Sequence, residues 1–246
     1  MPVTASHAYV TLVMLGDKYV PGALALGWSL RRFRSNQTDL VVLITQDVSQ
    51  QARGALAEVF DFVQLVDFIQ ARTLRNQGRR FQHMYQWEDM SFTKFQALSL
   101  TQYEKVLLLD ADMVAVASPE ELFSIRAPAG MCSAVKGPAE QLQWHSRILP
   151  AEMVARSVAR GYGIKGCLYL VEPSAHDLQA LKDTLAATPA YGNSREYCGP
   201  DERLISEYYA FGRDAKHAVP SSSPLDAPQG WTHIHEIVGF PIDCRE

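Results

Sequence analysis

The chain opens on a near-continuous apolar run, Ala8 to Leu15, that stops at Gly16-Asp17. A run without alternation predicts a strand buried on both faces, as in a parallel sheet covered by helices. From Tyr19 to Phe33 apolar residues return at helical spacing (Leu26, Leu30, Phe33), and Pro21 fits only the first turn of that helix. Leu40 to Thr45 reads as a second strand, Ser49 to Phe60 as a helix with Ser49 as its N-cap, and Phe62 to Val66 as a short third strand. The pattern lapses from Gln70 to Asp89, where Arg72, Arg75, Arg79 and Arg80 precede Phe81, Tyr85 and Trp87. A long irregular stretch of this kind reads as a lid or binding loop. Helical character resumes from Phe92 to Tyr103, and Val106 to Leu109 is a buried strand ending on Asp110.

The second half is less regular. Ser118 to Phe123 predicts a capped short helix, Gly166 to Val171 a strand halted by Pro173, and Ser174 to Ala187 a helix. Pro200 to Tyr209 predicts another helix with Pro200 in its first turn, and Gln229 to Val238 holds a last short strand around Trp231 and His233. Tyr208 and Tyr209 fall inside a helix and are expected to pack. Alternating strands and helices predict an α/β fold with a mixed, mostly parallel sheet flanked by helices. No repeat or compositional break marks a linker, so the 246 residues are read as a single domain.

Composition narrows the classes. At 47% hydrophobic and 20% charged residues the chain is ordinary for a globular protein. A net charge of -4 without a long basic block gives no electrostatic footprint for nucleic acid or a polybasic membrane contact. The start lacks a secretory layout, and no apolar run approaches the roughly 20 residues of a membrane span. Cys132, Cys167, Cys198 and Cys244 are scattered without a CxxC pair, which reads as reduced thiols in a cytoplasmic compartment rather than a zinc site or disulfide framework.

The sharpest chemical feature is Leu107-Leu108-Leu109-Asp110-Ala111-Asp112. A buried strand delivers two carboxylates to its carboxyl end, and in extended chain residues i and i+2 point the same way. The crevice beyond the carboxyl ends of strands is where open α/β sheets bind ligands. Like charges converging there call for a cation, and hard oxygen ligands suit Mg2+ or Mn2+, which can hold a diphosphate as a leaving group. The bland alternative is a solvated turn.

The run Thr93-Lys94-Phe95 followed by Leu100 to Asp112 resembles the core of glycosyltransferase family 8, to which glycogenin and galactinol synthase belong. Tyr9 to Leu12, Tyr19 to Leu24, and Ser118 to Phe123 are similar to other segments of that family, collinearly over residues 8 to 125. A weaker likeness is to short glycogenin-like proteins of large DNA viruses. The resemblance implies a Rossmann-like GT-A fold, with a nucleotide-binding half about 1–125 and an acceptor and sugar half about 126–246. It implies a retaining hexosyltransferase that uses a UDP-sugar donor with Mn2+ or Mg2+. The acceptor stays open among sugar, polyol, lipid and protein, and a homodimer is allowed.

Residue by residue, Asp110 and Asp112 match metal ligands, with Ala111 between them, and Lys94 matches a lysine that contacts the donor; without the family, Lys94 reads as an exposed helix lysine. Leu12 matches the strand residue whose backbone touches the base and Tyr19 the aromatic beside it, which otherwise reads as helix packing. Asp201 matches the aspartate beside the transferred sugar, or else is a helix-start acid favoured by the macrodipole. His235 sits where a third metal ligand is expected, with His233 on the same strand face as its rival.

Three departures stand out. Glu202 replaces the family's glutamine next to Asp201, keeping a hydrogen-bonding part with a different donor inventory. Lys165, before Gly166, stands in the place of an asparagine that holds the sugar. Phe240-Pro241-Ile242-Asp243 replaces a Lys-Pro-Trp segment whose lysine grips the diphosphate; Lys165, Arg79 or Arg80 are candidates to supply that charge. Two rivals remain: a non-catalytic nucleotide-sugar-binding protein on the same scaffold, and a sugar-nucleotide pyrophosphorylase, for which Met14-Leu15-Gly16-Asp17 lacks the Gly-rich basic loop.

Overall fold

The computed structural model describes residues 5–73, 86–133, 135, 143–190, 199–211 and 231–234. Strand β1 (His7–Val13) leads through α1 (Val20–Arg31) to β2 (Thr38–Ile44), and α2 (Gln50–Ala57) leads to β3 (Phe62–Leu65). Pro21 lies in the first turn of α1, and the Ser49 hydroxyl accepts the N–H of Ala52 to cap α2. A short helix α3 (Gln86–Met90) runs directly into a 3₁₀ segment (Ser91–Ser99), and β4 (Lys105–Leu109) follows. A second 3₁₀ segment (Glu120–Ser124) precedes β5 (Ala129–Cys132), α4 (Ala151–Ala159), β6 (Ile164–Val171), α5 (Ala175–Ala187), α6 (Pro200–Phe211) and β7 (Thr232–His233).

The strands form one sheet in the order β3-β2-β1-β4-β6-β5-β7. The first four are parallel; β6 runs antiparallel to both β4 and β5, and β7 is parallel to β5. The mixed, mostly parallel α/β sheet expected from the sequence is the one observed. The chain winds outward from β1 to β3 and returns to place β4 on the other side of β1. That reversal is a topological switch point, and ligands of open α/β sheets sit outside it. The β1/β4 ladder runs from His7 opposite Lys105 to Val10 opposite Leu108. Leu12 and Asp110 each lie two residues beyond its end.

Side chains alternate between two cores, one on each face. Val10, Val106, Leu108 and Tyr169 pack with Phe92, Phe95 and the apolar sides of α4, α5 and α6. Tyr9, Leu107, Leu109, Leu168 and Leu170 pack with Leu26, Leu30 and Leu56 of α1 and α2. Both faces being covered explains the unbroken apolar runs of β1 and β4. Tyr208 is buried and Tyr209 meets the Trp231 ring edge-on at 5.5 Å, so both tyrosines pack as expected.

Some elements differ from the sequence reading. The helix expected over residues 92–103 is the 3₁₀ segment Ser91–Ser99, and the short helix expected from Ser118 is also 3₁₀. The last strand is two residues long, β5 and α4 were not anticipated, and α3 occupies the end of the Gln70 to Asp89 stretch read as an irregular loop, of which residues 74–85 lie outside the described residues. The Asp110-Ala111-Asp112 segment is not extended: β4 ends at Leu109, and the chain turns so that Met113 N–H donates to the Asp110 carbonyl at 3.3 Å.

Candidate functional site

The turn after β4 is held from both sides. On one side the Asp110 N–H donates to the Cys167 carbonyl at 3.0 Å, extending the β4/β6 ladder. On the other it rests on the leading turn of α1, where a Cβ at Gly22 would stand 2.5 Å from the Ala111 carbonyl oxygen. Only a glycine permits so close a backbone approach. Further on, the buried Ser29 hydroxyl accepts the Ala115 N–H at 2.9 Å. This anchoring presents Asp112 to solvent and leaves the Asp110 side chain 41% exposed in the crevice.

Lys94 arrives from the 3₁₀ segment. Phe92 and Phe95, both fully buried, pin its backbone, and the Thr93 hydroxyl accepts the Ile69 N–H at 3.1 Å. Its ammonium, with the side chain 14% exposed, lies 3.2 Å from Asp110 Oδ1 and 3.0 Å from Asp201 Oδ2. It also donates to the Gly166 carbonyl at 3.3 Å and sits 6.0 Å from the centre of the Tyr169 ring. Asp201 and Glu202 belong to the first turn of α6. Because β6 is antiparallel to β4, its starting end, with Lys165 and Gly166, lies beside the finishing end of β4, and α6 docks against it.

Three carboxyl groups, those of Asp110, Asp201 and Glu202, thus act on the Lys94 ammonium, and the charge of Asp112 acts on Asp110. Burial alone would lower the Lys94 proton affinity, but Asp110 and Asp201 outweigh it and raise it well above the ordinary lysine value. Desolvation by the crevice walls raises the Asp110 carboxyl above the usual range; Lys94 opposes this, and Asp201 and Asp112 add to it. Glu202 is pushed up to about 7, by burial first and the charge of Asp201 second. Burial, then the charges of Asp201, Glu202 and Asp110, raise the Tyr169 hydroxyl far above its normal range.

Of the residues singled out in the sequence, Lys94, Asp110, Ala111, Asp112, Gly166, Asp201 and Glu202 converge, with Lys165 adjoining on β6. Asp112 acts on Asp110 through its charge despite the turn between them. Leu12 is partly buried near the end of β1, and Tyr19, 46% exposed, stands at the start of α1 with the Lys18 ammonium 5.8 Å from its ring. Arg79, Arg80, His235 and the side chain of His233 lie outside the described residues. Among the described residues no group of three His, Cys, Asp or Glu side chains forms a metal cluster. Tyr169 escaped the sequence reading, and Gly22 and Gly199 figured there only within segments that resemble the family; the one signal for Tyr169 was a lone aromatic ring in a buried strand.

No protein-family model matches the chain. It is 30% identical to the uncharacterized protein R707 of Acanthamoeba polyphaga mimivirus over 205 residues, covering 83% of this chain and 68% of the viral one. It is 38% identical to human Glycogenin-1 over 118 residues, covering 48% of this chain and 32% of glycogenin, so it spans about a third of that relative's length. Among solved structures, core-mannan synthase A from Aspergillus fumigatus in its Mn/GDP form superposes with a TM-score of 0.54 at 10% identity, over 86% of this chain and 71% of that one. The fold is therefore that of the GT-A glycosyltransferases. The sequence relatives add a likeness to the glycogenin-like glycosyltransferases of family 8.

Proposed function

We propose that this domain is a retaining, metal-dependent hexosyltransferase that takes its sugar from a UDP-sugar and passes it to an acceptor hydroxyl. The observation that carries the reading is the Asp110–Lys94–Asp201 array at the switch point of the sheet. A ligand entering that crevice meets fixed charges at the carboxyl end of β4, with the covered sheet behind them.

The donor set fits a divalent cation. Asp110 and Asp112 offer hard oxygens, the charge of exposed Asp112 acts on Asp110, and the local excess of carboxylates over ammonium groups is relieved by added positive charge. His235 is the candidate third ligand. Bound there, Mn2+ or Mg2+ would neutralise the diphosphate as it leaves. The chain's own residues do the rest in this reading. Leu12 and Tyr19 flank the base, while Lys165 and Arg79 supply the positive charge that a Lys-Pro-Trp lysine would have given. Lys94, 3.0 Å from Asp201 Oδ2, holds that side chain in place, so that its carboxylate faces the positive charge developing at the anomeric carbon. The cytoplasmic location expected from the cysteine pattern remains part of the proposal.

The test is a panel of UDP- and GDP-sugars incubated with the protein and Mn2+ or Mg2+, with free nucleotide as the readout and the anomeric configuration of the product read by NMR. One donor is expected to turn over with retention, and Asp112→Asn is expected to lower the rate by about a hundredfold or more. Tight binding with no turnover on any donor would leave only the non-catalytic reading. Pyrophosphate-dependent release of a sugar phosphate would make the protein a pyrophosphorylase.

A further inference from the structure

The first turn of α6 is closed from within. Gly199 is its N-cap: the Gly199 carbonyl accepts the Arg203 N–H at 3.1 Å, and the Gly199 N–H donates to Glu202 Oε2 at 2.9 Å. This is the half of a capping box in which the third helical residue reaches back to the N-cap amide. The other oxygen, Oε1, accepts the Gly166 N–H of β6 at 2.6 Å. Backbone donors from two separate elements therefore occupy both oxygens of one carboxylate. One turn later the Ser206 hydroxyl accepts the Ile164 N–H at 2.8 Å and donates to the Glu202 carbonyl at 2.5 Å. The contact is tight: a Cβ at Gly166 would come within 2.9 Å of Glu202 Cγ, and one at Gly199 within 2.7 Å of Asp201 Oδ1.

An amide cannot reproduce this arrangement. Glutamine has one accepting oxygen and an NH2 that only donates, so one of the two backbone N–H groups would face another donor. Aspartate, one methylene shorter, cannot span both amides from the same backbone position.

We propose that Glu202 is a positioning residue: its carboxylate clasps the start of β6 to the first turn of α6 and so holds the neighbouring Asp201 against Lys94. The proposal rests on the transfer reading of the site and deepens it, because it removes Glu202 from contact with the sugar and leaves Asp201 as the carboxylate that faces it. Among the described residues, the charges of Asp201 on its own helix and Lys94 from the 3₁₀ segment act on Glu202, and Glu202 in turn acts on the Tyr169 hydroxyl of β6. With the Glu202 carboxyl near 7, the clasp is complete in mildly alkaline solution. It weakens on acidification, when one oxygen becomes a hydroxyl facing an N–H.

The experiment uses the full chain labelled with nitrogen-15 at glycine and lysine. In the wild type, the Gly166 and Gly199 amide resonances should titrate together with a midpoint near 7, followed by the Lys94 Nζ resonance as Asp201 shifts. In Glu202→Gln neither amide should titrate. On the donor found by the panel, Glu202→Gln and Glu202→Asp should each lower kcat by about tenfold or more with donor KM within about twofold, and the rate should lose its dependence on pH through neutrality. Amides indifferent to pH and to the substitution would overturn the clasp. Responsive amides with wild-type kcat and pH profile would overturn its role in positioning. Should the wild type turn over no donor at all, the transfer reading falls, and the glycine and lysine resonances still decide whether the clasp holds Asp201.

Discussion

At the scale of single residues, Lys94 is the group the site can least spare. Its ammonium is the shared partner of Asp110 and Asp201, and Asp201 is almost entirely buried. Lys94→Ala leaves that carboxylate in a desolvated place without its counter-charge, which costs about 3–5 kcal/mol when one partner of a buried pair is removed. Urea unfolding should show the loss, and turnover should fall with it. Lys94→Arg is not expected to restore activity, because a planar fork cannot place one point charge between Asp110, Asp201 and the Gly166 carbonyl. Glu202 gives a prediction of the opposite kind. Its folded carboxyl, near 7, lies above the ordinary 4.5 of an unfolded chain, so between those values the folded state binds more protons. Stability contributed by Glu202 is therefore greatest in acid and declines as pH rises from about 4.5 to about 7. Metal-free urea midpoints measured across that range should fall more steeply in the wild type than in Glu202→Gln. Activity should run the other way, rising as the clasp ionises.

At the scale of elements, Ser206 links α6 to β6 from a position with no solvent exposure. Ser206→Ala leaves the Ile164 N–H buried without an acceptor, a loss of about 1–3 kcal/mol that a thermal melt should register. What the sequence made legible follows from where the information lies. The runs of β1 and β4 announce strands covered on both faces, and Ser49 and Pro21 mark helix starts, because these signals are local. Strand β5, Ala-Gly-Met-Cys, has no β-branched residue and becomes a strand only by pairing with β6 and β7. Helix α4 begins without a side-chain cap at Pro150, so its Val154 and Val158 pair lacked a start signal. Asp110 and Asp112 were found as a pair, although the extended geometry inferred for them gives way to a turn. Glu202 was singled out for its charge, but the two amides it accepts lie on Gly166 and Gly199 and could be seen only once β6 and α6 were docked.

At the scale of the whole molecule, one strand reversal organises the site. Since β6 runs against β4, residues from late in the chain reach the switch point from the start of a strand, beside carboxylates that finish an early one. The early Lys94 and Asp110 and the late Gly166 and Asp201 consequently share one network of ion pairs and hydrogen bonds. The contact between Gly22 and Ala111 adds a mechanical property to this arrangement. With no room for even a methyl group between them, the leading turn of α1 and the aspartate hairpin cannot slide past one another. Under the proposed reading, a pyrimidine ring beside Tyr19 and an ion at Asp110 and Asp112 would both be carried by this one piece, and whatever factor one adds to the affinity of the other must be returned equally. Calorimetric titration of Mn2+ with and without uridine should reveal that mutual dependence, and Gly22→Ala, by prying the piece apart, should abolish it.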